Sequence, residues 1–343
     1  MKKSYAAMRT MLCAVVFISA VHSASALTII RDFIGGTPPT NSLGAGTLTN
    51  IFNEACDVWE LAYPNVNLTL TLHYGWAPVG GGQHTLNAQG GTPNRETDGI
   101  ILFNNDNDPT HYAFFLDDDP LEHSGTNFID ESTNLGAGPI NATRCFKIYS
   151  DDVHFDLFTI AMHEIGHSLG MSSANTSFAV ETTDGDIDVT APLPFVGTVI
   201  PMQYNNYGVT PHIGYVSDHT LMSGSFWTGD RVFPSALDIL ANAQISKFES
   251  PNINLAPIIK TKTYIVQVAP DKGNPKKTIP VNMIDLSWIQ PLNKYELEQC
   301  SKLVGGTWTT VTNAVSVSSG WHTVSLPIDM GQSQVYFRLK QLP

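Results

Sequence analysis

Charge is scarce in this chain. Only 14% of its residues are charged, and 31 Asp and Glu against 18 Lys and Arg leave a net charge of −13. A chain so short of cations is a poor candidate for gripping nucleic acid or an anionic membrane surface. Long apolar runs are also missing. Met11–Val21 is too short to cross a bilayer, and no second candidate span follows. Cysteine is limited to Cys13, Cys56, Cys145 and Cys300. With Cys13 inside an N-terminal segment expected to be removed, three remain, so at least one stays free or pairs between chains. Cys56 and Cys145 could pair, and buried free thiols are the equal alternative.

What the chain does have is 343 residues, 42% of them hydrophobic. That is enough for a large core and two domains. Abundant Gly, Pro, Asn, Ser and Thr point to a loop-rich exported protein. Residues 1–26 read as a signal peptide, with Lys2, Lys3 and Arg9 at the start, the Met11–Val21 apolar run, and Ala24-Ser25-Ala26 for cleavage. The expected address is extracellular or periplasmic, with no transmembrane segment in the mature chain.

The chemistry concentrates in Leu157–Gly170, which contains His163-Glu164-Ile165-Gly166-His167. Histidines four apart share one helix face, so both can turn a ring nitrogen to one zinc ion. Glu164 falls beside that ion without occupying it, where a general base for zinc-bound water is needed. Phe158, Met162, Ile165 and Leu169 predict a buried stripe along the same helix. Ser150, Asp151 and Asp152 are its expected start and Gly170 its expected stop. A third protein ligand is required. Six residues past His167, where a compact zinc motif would place a histidine, stands Ser173.

Elsewhere the pattern predicts a strand at 27–30, a helix over 47–64 and a strand over 66–76, where apolar and polar residues alternate. Further strands are expected at 99–104 and 111–116. Leu116–Pro120 and Asp184–Asp188 are acidic loops that could hold calcium, although neither matches an EF-hand, and solvated turns are the preferred reading. His73, His84, His111, His123, His154 and His322 lack ligand spacing and receive no role. Residues 174–211 read as a long irregular loop, of the kind usually kept for function. It leads to His212, His219, the stretch Leu221-Met222-Ser223-Gly224, and a helix from Phe233 to Ile245 opened by Pro234.

The order of zinc helix, distant His, Leu-Met-Ser-Gly turn and a helix near Pro-x-x-Leu-Asp resembles the metzincin metallopeptidases. It is closest to the leishmanolysin-like branch, in which an insertion separates the zinc helix from the third His. The resemblance implies an α+β catalytic domain over 27–250, a twisted mixed sheet with helices. It implies a zinc site of His163, His167 and His212, with Glu164 as base. His212 lies ten residues before Met222, as in that branch, and is preferred to His219, three before it. Met222 would be a floor beneath the metal. Two departures are Ser173 and Gly224, the latter where some metzincins carry a tyrosine. The implied substrate is a protein or peptide lying extended along an edge strand, and no long propeptide is expected. The gluzincin alternative needs a Glu about twenty residues past His167, where Ile187 stands, and Glu181 comes too early.

Residues 251–258 read as a linker. Seven short apolar-alternating runs follow over 259–343 and predict a small β-sandwich. Leu-Ser-Trp, Gly-x-Trp-x-x-Val and a closing Tyr-Phe-Arg-Leu resemble fibronectin-like domains. The expected function is a secreted zinc endopeptidase. The alternatives are a non-catalytic binding protein on a degenerate peptidase fold, and a metal-dependent hydrolase of a non-peptide substrate.

Overall fold

The computed structural model describes residues 26–108, 110–122, 128–149, 153–214, 216, 220–268, 279–328 and 334–342. All of the expected signal peptide except Ala26 lies outside these residues, as do His219, His123 and the expected helix start at Ser150–Asp152. The protein is a mixed α+β structure, mostly sheet, with four helices among the described residues. None of those helices is long and apolar enough to cross a membrane.

The first half runs β1 (Leu27–Gly35), β2 (Leu43–Gly44), α1 (Leu48–Ala62), β3 (Leu68–Ala77), β4 (Gly82–Gly90) and β5 (Arg95–Asn104). Thr47 caps α1 by accepting the Asn50 N–H, and Pro64 follows its end. Ile51, Phe52, Ala55, Val58, Trp59 and Ala62 are fully buried, the face expected from their spacing. Leu70, Leu72, Tyr74 and Trp76 of β3 point into the same core. The sheet order is β1-β3-β5-β4. β1, β3 and β5 are parallel, and β4 returns antiparallel along β5, with His84 opposite Ile101. β4 is therefore an edge strand. The sequence pattern did not show it as a strand, because its run is polar and it joins β5 in a hairpin whose register is irregular.

Next come β6 (Ala113–Leu116), β7 (Ile129–Asn134), β8 (Pro139–Lys147), β9 (His154–Asp156) and α2 (Leu157–Ser168). Helix α2 starts later than expected. Its N-cap is Asp156, whose carboxylate accepts both the N–H and the hydroxyl of Thr159. All twelve residues of α2 are buried, not one stripe, because α1, the sheet and later elements enclose the helix.

The stretch 174–211 is not an irregular loop. It forms α3 (Thr176–Glu181), β10 (Asp186–Asp188), β11 (Val199–Asn205) and the start of β12 (Gly208–Ile213), with the three strands in one sheet. Then follow β13 (Asp230–Val232) and α4 (Ala236–Ser246). Ser235, not Pro234, opens α4, through a capping box with Asp238. The segment beyond α4 is pinned: Asn252 donates to the carbonyls of Leu61 and Ala62, and Leu255 is buried in the main core.

The last part holds β14 (Lys260–Val268), β15 (Ile279–Trp288), β16 (Tyr295–Cys300), β17 (Thr309–Thr310), β18 (Ser316–Ser318), β19 (Trp321–Pro327) and β20 (Tyr336–Gln341). They make two antiparallel sheets, β14-β15-β19-β18 and β17-β16-β20. Leu286, Trp288, Leu297, Val311, Val324 and Leu326 form their own apolar cluster. Trp321 Nε1 donates to Asp57 of α1 at 2.7 Å, tying this part to the first half. Cys56, Cys145 and Cys300 are all free and buried, so Cys56 and Cys145 are not joined.

Candidate metal centre

His163 and His167 stand one turn apart on α2. Their Nε2 atoms face each other at 3.0 Å. The other nitrogen of each ring is engaged. His163 Nδ1 donates to the Leu221 carbonyl at 2.8 Å, and His167 Nδ1 donates to the Met171 carbonyl. A carbonyl can only accept, so both rings carry their proton on Nδ1 and present bare lone pairs at Nε2.

His212 arrives from the end of β12, 45 residues beyond His167 in sequence. Its ring lies 5.4 Å from that of His163 and 5.2 Å from that of His167, centre to centre. One ligating nitrogen from each of the three falls within 4.8 Å of the others. The chain holds β12 in place through Ile213 N–H, which donates to the Met222 carbonyl at 2.8 Å. Met222 N–H in turn donates to buried Asp238 at 2.8 Å. The turn after β12 is thus fastened to α4, to β12 and, through Leu221, to His163.

Burial pushes all three imidazoles down: His163 to about 3, His167 well below the ordinary histidine value, and His212 in the same direction. At neutral pH no proton separates the facing lone pairs. Two acceptors aimed at each other in a buried site call for a cation. Tetrahedral zinc with bonds of about 2.0–2.1 Å would set neighbouring nitrogens about 3.3 Å apart, close to the 3.0 Å between the Nε2 atoms of His163 and His167. The donor set of three neutral imidazoles also fits zinc.

Glu164 lies in the same cleft and is 6% exposed. Burial pushes its carboxyl up to about 8, opposed by the nearby main-chain N–H of His84. The carboxylate rests directly on Gly82. A Cβ there would come within 2.4 Å of Glu164 Oε1 and 2.7 Å of Ile160 Cγ2, so only glycine lets β4 approach α2 this closely. Gly166 serves the other side of the helix. A Cβ at Gly166 would meet Met222 Sδ at 2.3 Å.

The cleft has a volume of about 400 Å³. Ser173 lines it, in place of a compact-motif histidine. Phe226 packs edge-on against His163 with centroids 4.8 Å apart. Three wall residues were missed in the sequence: His84, Tyr112 and Phe226. Their only signals were a lone His in a polar run and isolated aromatics, and neither carries a spacing.

The acidic loops behave differently from one another. Asp184, Asp186 and Asp188 bring carboxylate oxygens within 4.8 Å of one another at the surface. Asp117 is instead committed to Arg231 at 2.9 Å and to the Asp119 N–H.

Comparison with protein families, curated proteins and solved structures finds no match for this chain.

Proposed function

We propose that the chain is an exported zinc-dependent endopeptidase of metzincin type, ending in a fibronectin-like β-sandwich. One observation carries the reading. Three neutral histidines from two distant elements converge on one point, with a buried carboxylate beside it. The parallel strands with an antiparallel edge strand, the zinc helix and the turn holding Met222 beneath it support the family assignment.

An ion held by His163, His167 and His212 would supply Lewis acidity to the scissile carbonyl and to water, and would favour the ionised form of Glu164. Glu164 then accepts a proton from the attacking water at its carboxylate and returns it to the leaving amine. The bare surface of Gly82 gives that carboxylate its seat. The open edge of β4 borders the cleft and offers main-chain groups to an extended peptide, which would add as a further strand. Gly224 puts no side chain in the cleft, so no tyrosine from the turn takes part.

The test is zinc content together with casein proteolysis for the wild type, Glu164→Ala and His212→Ala. About one zinc per chain is expected in the wild type, retained in Glu164→Ala and weakened in His212→Ala, with proteolysis lost in both variants. Zinc without proteolysis of any peptide would favour a non-peptide substrate. A wild type that binds no zinc would point to a binding protein and end the peptidase reading.

A further inference from the structure

His84 received no role from its sequence context, yet it sits in the wall of the metal cleft. Its ring lies beside that of His167, with centroids 6.3 Å apart and planes 25° from parallel. Its Nε2 is 2.9 Å from Glu96 Oε1. That partner is deeply placed: the side chains of His84 and Glu96 are 5% and 0% exposed. Glu96 comes from β5, the strand paired with β4. The space for its carboxylate is kept open by Gly99, where a Cβ would stand 2.0 Å from Glu96 Oε1. The other oxygen of Glu96 has no hydrogen-bond partner. A buried carboxylate with a free oxygen is costly, and His84 is the contact that offsets the cost.

The main chain of the same strand does a second thing. Gly82, two residues before His84, seats the Glu164 carboxylate, since a Cβ there would come within 2.4 Å of Oε1. β4 is bonded on one side only, by β5, and its register is irregular from Leu86 to Gln89. The slip lies beyond His84, whose own stretch Gly82–Leu86 pairs regularly with β5, so this part of β4 is free only on its outer side. The His84 side chain, tied to the next strand through Glu96, adds a second hold on it.

We propose that His84 and Glu96 are a positioning pair, which pins β4 so that Gly82 keeps the Glu164 carboxylate, and the His84 ring keeps the His167 imidazole, in their working places. The role assigned to Glu164 rests on the peptidase reading; the clamp itself does not. Neither residue needs to touch substrate.

The experiment compares wild type with His84→Ala, His84→Gln and Glu96→Ala by two readouts. The first is steady-state proteolysis of a fluorogenic peptide by the zinc-loaded protein. Loss of the anchor should lower kcat by about 10–100-fold, the usual effect of removing a supporting partner, with full zinc retained. KM should stay within about threefold, because only positioning of the base is lost. His84→Gln, whose amide still reaches Glu96, should recover most of kcat. A raised KM at unchanged kcat would make His84 a substrate contact and overturn the proposal, as would no change at all. The second readout needs no activity: hydrogen exchange of the β4 amides bonded to β5 in the folded, metal-free protein. Exchange should quicken about tenfold or more in His84→Ala and Glu96→Ala and stay slow in His84→Gln. Unchanged protection overturns the clamp. Lost protection in a protein that never cleaves peptides keeps the clamp and rejects the peptidase reading.

Discussion

Met222 packs its sulfur onto Gly166, which lies between His163 and His167 on α2. A Cβ at Gly166 would come within 2.3 Å of Met222 Sδ and 3.2 Å of Trp59 Cζ2. Glycine inside a helix costs about 0.8–1.0 kcal/mol relative to alanine. Its presence in this helix is explained by what passes beneath it. Gly166→Ala should therefore destabilise the protein, by about 1–3 kcal/mol from overpacking, and loosen zinc as the turn is pushed from His163. Urea unfolding of the zinc-free protein measures the first effect. A more stable variant, as helix propensity alone dictates, would show that the contact can relax.

Arg231 is a second keystone. It is 1% exposed and grips Asp156 with two bonds of 2.9 and 2.8 Å, while Nη1 donates to the Pro120 carbonyl at 2.8 Å. Asp156 is the cap of α2, so this pair anchors the start of the helix that carries His163 and His167. Arg231→Met should cost about 3–5 kcal/mol, since it leaves a buried carboxylate without its partner. Asp156→Asn added to it should cost much less than the two changes summed. Chemical denaturation of the four proteins in that cycle decides the matter, and plain additivity would mean the two residues are not coupled.

Glu54 sets a pH dependence away from the cleft. It is 1% exposed, and one of its oxygens has no hydrogen-bond partner. Burial first, and then the charge of Asp119, raise its pKa from 4.5 to about 8. The folded state thus holds this proton more tightly than the unfolded chain. The contribution to stability is complete below the unfolded value and is lost as pH rises through about 8. Glu54→Gln mimics the protonated form, so its Tm advantage over wild type should grow from pH 5 to pH 9. Parallel Tm curves for the two proteins over that range would reject the assignment.

The thiols should be silent in the native protein. Cys56, Cys145 and Cys300 are buried and free, and burial pushes Cys145 up to about 12 and Cys56 higher still. A thiol reagent should label none of the three until denaturant is added, and a reductant should leave Tm unchanged. A drop in Tm on reduction would reveal a disulfide.

Much of this protein was written in local pattern. The α1 face, the alternation of β3, the seven C-terminal strands and the His163–His167 spacing all depend on periods of 3.6 or 2 residues, which a sequence displays directly. His212 was reached through its distance from Met222, a likeness and not a periodicity. The rest depended on which segments meet. β4 is polar and irregular, and only its pairing with β5 makes it a strand. Residues 174–211 contain three strands whose short runs acquire meaning from one another. His84 looked like a lone histidine because Glu96 and Glu164 come from different elements. The start of α2 was placed too early because acidic residues near a helix start are common, whereas Asp156 is selected by Arg231, 75 residues away. By itself the sequence determined the helix faces, the strand periods and two of the three converging histidines, because those follow from spacing along one chain. Tertiary structure decided the third imidazole, the walls of the cleft and the contacts that hold Glu164, because those arise only where distant backbone segments pack within hydrogen-bonding distance.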